Sequence, residues 1–248
     1  CEKYSLSMIS KNELKYIQSL YHKKTRDREN VFIVEGPKMV DELLKSNLQI
    51  IKIFATQGEW SKSHINTGFQ EVEEFELKKI SHFETPNQVL AIAQRKILRE
   101  ENINFKNQVV LMLDGLQDPG NLGTIIRIAD WFGIQQIIAS EDSADCYNSK
   151  VVQASMGSIF RINIQYENLP KLLAECPTKI YGAILNGENL KEQTPIKNGV
   201  IIIGNESKGI REEVLPFVQK PITIEALGKA ESLNAAVATG IILSHLIA

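Results

Sequence analysis

Leu113-Asp-Gly-Leu-Gln-Asp-Pro-Gly-Asn-Leu-Gly-Thr-Ile-Ile-Arg-Ile-Ala-Asp-Trp-Phe-Gly133 is the stretch whose reading decides the fold. It follows Val109-Val-Leu-Met-Leu113, an apolar run that reads as a buried strand. Asp118-Pro119-Gly120 marks a turn. Leu122, Ile125, Ile126, Ala129 and Phe132 then recur at helical spacing. The turn brings backbone N–H groups and Asn121 to the helix entrance, with one cation, Arg127, further in. Taken alone, Asn121 reads first as a helix cap and Arg127 as a surface arginine. A strand, a glycine-bearing turn and a helix place polar groups at the carboxyl edge of a sheet, where α/β proteins bind ligands.

Outward from this stretch, apolar strands alternate with helices. Strands are expected at 134–139, 159–164, 179–185, 200–203 and 221–224, and helices at 148–156, 169–174, 211–217 and 232–247. Near-continuous apolar strands argue for a parallel sheet covered on both faces. The run Ala235-Ala-Val-Ala-Thr-Gly-Ile-Ile-Leu243 is apolar nearly all round, so its helix should be buried. Its small residues permit close packing, either as an ordinary terminal helix or against active-site loops and a second subunit. Ser232 reads as its N-cap. The loop Gly204-Asn-Glu-Ser-Lys-Gly209 follows a buried strand and by itself admits a salt bridge at Glu206 or a nucleotide site. No G-x-G-x-x-G follows any strand, so an ordinary dinucleotide fold is not supported.

Upstream, 12–22 reads as an amphipathic helix with Leu14, Ile17, Leu20 and Tyr21 on one side. A strand at 31–34 precedes Pro37, which suits a first helical position, and Met39, Val40, Leu43 and Leu44 give that helix an apolar face. Strands at 48–55, 71–75 and 89–93 and a helix at 76–83 complete a compact α/β unit. The polar segment 95–108 reads as a linker, dividing the chain into domains 1–100 and 105–248. The net charge is -2, which counts against a general nucleic-acid binder. Residues 1–52 nevertheless carry ten Lys or Arg against seven Asp or Glu. Lys23, Lys24, Arg26 and Arg28 form the densest cluster, read either as a solvated helix end or as phosphate contacts. The longest apolar runs are too short to span a bilayer, and the start has no signal-peptide pattern. Cys1, Cys146 and Cys176 form no C-x-x-C pair, which fits a reducing cytoplasm without a disulfide framework or zinc. His22, His64 and His82 have no motif around them and read as surface or packing residues.

Asp118-Pro-Gly-Asn-Leu-Gly-Thr-Ile-Ile-Arg127 resembles the first signature motif of the SpoU (TrmH-type) RNA 2′-O-methyltransferases of the SPOUT superfamily. Ile201-Ile-Ile-Gly-Asn-Glu-Ser-Lys-Gly-Ile210 resembles the second motif and Ile224-Glu-Ala-Leu-Gly-Lys-Ala-Glu-Ser-Leu-Asn234 the third, in the family's order. More loosely, 26–36 resembles the start of the substrate-binding domain that precedes many SpoU domains. The resemblance implies a C-terminal parallel-sheet α/β trefoil-knot domain preceded by a small α/β, ribosomal-protein-like RNA-binding domain. It implies S-adenosylmethionine as cofactor, RNA as partner, a homodimer, and no metal. Ribosomal RNA is the leading substrate and tRNA the alternative. A silent RNA-binding protein and a nucleotide enzyme using Gly204–Gly209 are the rivals.

By the same resemblance Asn121, Arg127, Glu206, Ser232 and Asn234 lie at the reacting groups, while Gly204, Ile224 and Leu233 contact the cofactor. A ribose hydroxyl must lose its proton as the methyl bond forms. A guanidinium is a poor base, so Arg127 either orients ribose and phosphate or accepts the proton in the role proposed for the family. Where many members read Ile-Pro-Met, this chain has Ile224-Glu225-Ala226, which places an acid beside the cofactor loop.

Overall fold

The structure is a computed structural model and describes residues 8–98 and 103–247. The described residues form two compact units. The first holds residues up to Lys96 together with Tyr147–Phe160, and the second holds the rest. Residues 147–160, assigned by sequence to the C-terminal domain, therefore belong by contact to the first unit. Of the expected linker, residues 99–102 lie outside the described residues.

In the first unit, Ser10 Oγ accepts the Glu13 N–H at 3.2 Å and starts α1 (Lys11–Ser19). There follow α2 (Lys23–Glu29), β1 (Val31–Glu35), α3 (Pro37–Leu44), β2 (Ile50–Ala55), α4 (Glu59–Ser63), β3 (Gln70–Glu71), α5 (Glu74–Ile80) and β4 (Val89–Gln94). The sheet order is β1-β4-β2-β3; β4 runs antiparallel to both neighbours, and β2 is parallel to β3. β1 is buried along its whole length. Alternation explains this. Val31 and Ile33 pack with Ile17, Leu20, Leu77 and Ile80. Phe32 meets Tyr147 and Phe160, with ring centroids 4.7 and 6.3 Å away.

The basic cluster forms a short helix of its own, α2, rather than the end of a longer one. Asn30, left-handed at φ 53°, closes that helix. Arg26 is buried, and its Nη1 donates to Leu20 O and Tyr21 O at 2.9 and 2.7 Å. Its assignment as an RNA contact is therefore corrected: it holds α1 to α2, because a buried guanidinium must find acceptors inside the fold. The strand expected at 71–75 stops at Glu71. Glu73 instead opens α5, its N–H bonded to the Glu76 carboxylate at 3.1 Å. His64 stacks on Trp60 and His82 on Tyr21, at centroid distances of 4.3 and 4.8 Å.

The second unit opens with β5 (Val109–Asp114), α6 (Pro119–Trp131) and β6 (Gln136–Ser140). The chain then supplies α7 (Ser149–Ala154) to the first unit. It returns for β7 (Asn163–Glu167), α8 (Leu169–Ala174), β8 (Ile180–Asn189), β9 (Gly199–Gly204), β10 (Lys220–Thr223) and α9 (Ala235–Leu246). All six strands are parallel, in the order β10-β8-β9-β5-β6-β7. β5 and β9 are buried at every residue.

Two sequence expectations change here. The strand placed at 159–164 begins at Asn163, because Met156 and Gly157 take positive φ and lead into a 3-10 turn at Ser158–Phe160. The helix placed at 211–217 contracts to a 3-10 turn, Leu215–Phe217, whose central Pro216 has no N–H to donate. No helix among the described residues is long and apolar enough to cross a membrane.

The strand order positions the site. From β5 the chain builds outward through β6 and β7, then crosses back to place β9 on the other side of β5. The reversal falls between β5 and β9, and a crevice opens at such a switch point, outside the carboxyl ends of the two strands.

Candidate active site at the carboxyl edge of the parallel sheet

A cavity of about 840 Å³ occupies that crevice. Its walls include Gln117, Asn121, Asp142, Glu206, Lys208 and Asn234. Asp118, not Asn121, caps α6: its Oδ1 accepts the Asn121 N–H at 2.7 Å. The Asn121 side chain is thereby left for the cavity. Its Nδ2 donates to Glu206 Oε1 at 2.9 Å, and its Oδ1 accepts from Asn234 Nδ2 at 2.8 Å. Each sequence motif thus contributes one member to a single hydrogen-bonded chain.

Asn234, not Ser232, caps α9, its Oδ1 accepting from the N–H groups of Ala236 and Val237 at 3.0 and 3.2 Å. The helix begins three residues later than expected, and Ser232 is exposed outside the cavity wall. Arg127 is exposed too, is absent from the wall, and its side chain makes no hydrogen bond or ion pair among the described residues.

Gly204 is also required by the fold of its own loop. A β-carbon there would lie 2.2 Å from Gly209 C and 2.3 Å from Ile210 N, so the glycine lets the 204–210 loop fold back on its own strand. Asn205 and Gly209 exchange backbone bonds of 3.0 and 2.9 Å. Asn205 Oδ1 takes the N–H groups of Ser207 and Lys208. Four of the five N–H groups from Asn205 to Gly209 are used inside the loop, which leaves little of it to cradle a phosphate.

The segment after β10 is arranged differently. Among the described residues, 226–233 make no backbone bond to the rest of the chain, and Leu227 and Leu233 are 88% and 49% exposed. Open backbone donors and acceptors beside uncovered apolar side chains suit the adenine of a nucleoside cofactor. Ile224 is half-buried at the start of this segment. Glu225 ties it down: its carboxylate accepts from Lys191 Nζ at 3.1 Å and Asn189 Nδ2 at 3.3 Å. The Lys191 bond, then that of Asn189, holds the Glu225 carboxyl below the usual range. Glu225→Gln is expected to weaken cofactor binding a few-fold at low salt and flatten its salt dependence, since an exposed pair is weak and screened. Titration calorimetry at two ionic strengths measures this; an unchanged affinity would make Glu225 irrelevant to the loop.

Sequence reading missed Asp114, Asn205, Asp142 and Arg211. Asp114 carried a signal, being the acidic end of an otherwise apolar buried strand; a buried carboxylate needs a partner. A hydrogen bond from Ser140 holds the Asp142 carboxyl low, aided by the Arg211 charge.

The layout is that of an α/β enzyme holding its ligands between three loops at a sheet edge rather than on one glycine-rich turn. Comparison with known proteins makes this specific. The SpoU rRNA methylase family matches residues 108–244, and an MRM3-like substrate binding domain matches residues 11–91. The chain is 34% identical over 235 residues to the 23S rRNA (guanosine(2553)-2′-O)-methyltransferase RlmP of Bacillus subtilis, covering 92% of this chain and 93% of that protein. A TrmH-family structure from Porphyromonas gingivalis superposes with a TM-score of 0.83 at 36% identity, over 96% of this chain and 98% of that one. An AdoMet-bound rRNA methyltransferase from Sinorhizobium meliloti gives 0.84 at 30% identity, over 97% and 95%. The chain belongs to the SpoU rRNA methylase family. It is an S-adenosylmethionine-dependent RNA 2′-O-methyltransferase.

Proposed function

We propose that this protein methylates a ribose 2′-hydroxyl of 23S ribosomal RNA, in the cytoplasm and as a homodimer. The observation that carries the reading is the Glu206–Asn121–Asn234 chain at the sheet's switch point. The match to the Bacillus subtilis enzyme along nearly the whole chain supports the choice of RNA. The packing of α9 against α6 and β9 fits a knot in which the end of the chain threads the preceding loop.

S-adenosylmethionine, when bound, supplies an electrophilic methyl group for in-line displacement. Gly204, Ile224 and Leu233 would hold it, largely through backbone. Asn121 fixes the Glu206 carboxylate, and Asn234 fixes Asn121, so the cavity enters the reaction already ordered. Glu206 keeps its second oxygen for the ribose hydroxyl or for Arg127. Ser232 offers a further hydroxyl close to Asn234 in sequence. Arg127 orients the RNA phosphate and ribose; its guanidinium is suited to a bidentate contact.

The dimer reading rests on an uncovered surface. Thr124 and Trp131 are exposed on one side of α6, and Val237, Ile241 and Ser244 on one side of α9. The two stripes adjoin where α6 and α9 pack, a β-carbon on Gly240 lying 3.6 Å from the Ile128 side chain. Trp131 is 84% exposed and Val237 52%. Contiguous exposed apolar surface marks an interaction site, and closed twofold pairing is the usual outcome. This corrects the expectation that α9 is buried all round.

Transfer of tritium-labelled methyl to in vitro transcribed 23S rRNA, followed by mapping of the 2′-O-methyl, tests the proposal. Transfer to tRNA alone would move the substrate class. Cofactor binding without transfer to either RNA would favour a silent binding protein. Reversing the charges of Lys23, Lys24 and Arg28, with Arg26 left intact, is expected to weaken RNA binding and flatten its salt dependence without touching cofactor affinity. An unchanged slope in a filter-binding series would leave α2 as a solvated helix.

A further inference from the structure

We propose that Arg211 is a positioning residue for methyl transfer, acting through Glu206. Asp114 is fully buried at the end of β5, and Arg211 satisfies its carboxylate from three sides. The Arg211 backbone N–H reaches Oδ2 at 2.8 Å, Nε reaches Oδ1 at 2.6 Å and Nη2 reaches Oδ1 at 2.5 Å. One residue further on, Gly115 O accepts from Asn205 Nδ2 at 2.7 Å. Both ends of the loop that carries Glu206 are therefore stitched to Asp114-Gly115. Glu206 stands between the stitches, and its bond to Asn121 depends on where they hold it.

A buried salt bridge by itself is weak support for stability. Here its geometry does something a bare ion pair would not. Nε and Nη2 converge on Asp114 Oδ1 while the backbone N–H holds Oδ2, and Nη1 faces Asp142 and Glu213 at 3.6 and 3.4 Å. The planar pair of donors fixes the far end of the loop against the end of β5. An ammonium keeps the charge but not the fork, so Arg211→Lys should leave the loop folded and let Glu206 drift. Misplacing a reacting group by about 1 Å costs on the order of a hundredfold in rate.

The inference rests on the role given to Glu206 above. The experiment is a double-mutant cycle with Glu206→Gln, Arg211→Lys and the pair, using tritiated S-adenosylmethionine and transcribed 23S rRNA. The melting temperature, cofactor affinity and KM for RNA are expected to stay near wild type in Arg211→Lys while kcat falls tenfold or more, roughly. The pair should be no slower than Glu206→Gln alone, because a residue acting through another adds nothing once that other is gone. The side-chain amide resonances of Asn121 should move in Arg211→Lys toward their Glu206→Gln positions, a change that a remote structural role would not cause. Wild-type kcat in Arg211→Lys, or losses that multiply in the pair, would overturn the proposal while leaving Glu206 in the site. Full activity in Glu206→Gln would remove Glu206 from the mechanism, and this inference with it. Should Arg211→Lys fail to fold, the same cycle with Asp114→Asn, which keeps an acceptor for Arg211, decides the question.

Discussion

Arg127→Ala is expected to abolish methyl transfer while cofactor binding persists. Arg127 stands apart from the Glu206–Asn121–Asn234 chain, exposed on α6 with no partner among the described residues. A long guanidinium left in water on the first motif's helix is available to RNA. Six residues separate it from Asn121 along the same helix, on the order of 9 Å of rise. Its fork suits a phosphate, and the contact matters chiefly when the ribose is aligned for attack. Loss of such a contact should raise the barrier by about 3 kcal/mol or more, roughly a hundredfold in rate. Arg127→Lys should restore little. Single-turnover methylation beside a calorimetric cofactor titration measures both halves. Near-normal turnover would shift the chemistry to Glu206 and Asn234. Joint loss of cofactor binding would make Arg127 a structural part of the pocket.

On the proposed homodimer, Trp131→Asp combined with Val237→Asp is expected to shift the dimer–monomer balance to monomer at micromolar concentration. A buried interfacial tryptophan is typically worth about 2 kcal/mol or more. A carboxylate in its place adds an uncompensated buried charge. Together these should raise the dimer dissociation constant by roughly two to four orders of magnitude. Sedimentation velocity gives the result directly. Both side chains are already exposed in the single chain, so its fold should survive the change. A wild-type protein that sediments as a monomer across a wide concentration range would end the dimer reading.

Local pattern settled much of this molecule before any coordinates. The 109–133 stretch specified a buried strand, a turn and a helix, and β5 and α6 form there. The helix expected at 169–174 is α8 to the residue, because Asn168 caps it and Pro170 suits its first turn. The motif order identified three loops, and Asn121, Glu206 and Asn234 do converge. Periodicity and cap chemistry are local, so one chain displays them.

Tertiary structure decided what depends on partners distant in sequence. Arg26 reads as a member of a basic cluster and is buried, because acceptors at Leu20 and Tyr21 turn back toward it. Asn121 and Ser232 both look like caps, and each loses that role to a neighbour, Asp118 and Asn234, since only backbone direction selects among nearby capping side chains. Residues 147–160 join the first unit because Phe32 needs apolar cover on the second face of β1. The Asp114–Arg211 pair spans a separation of 97 residues, over which no local pattern operates. The sequence by itself determined β5, α6 and α8 and the order of the three motif loops. Strand order alone decided that the first two motifs meet between β5 and β9, because a cavity forms only where neighbouring connections depart in opposite directions.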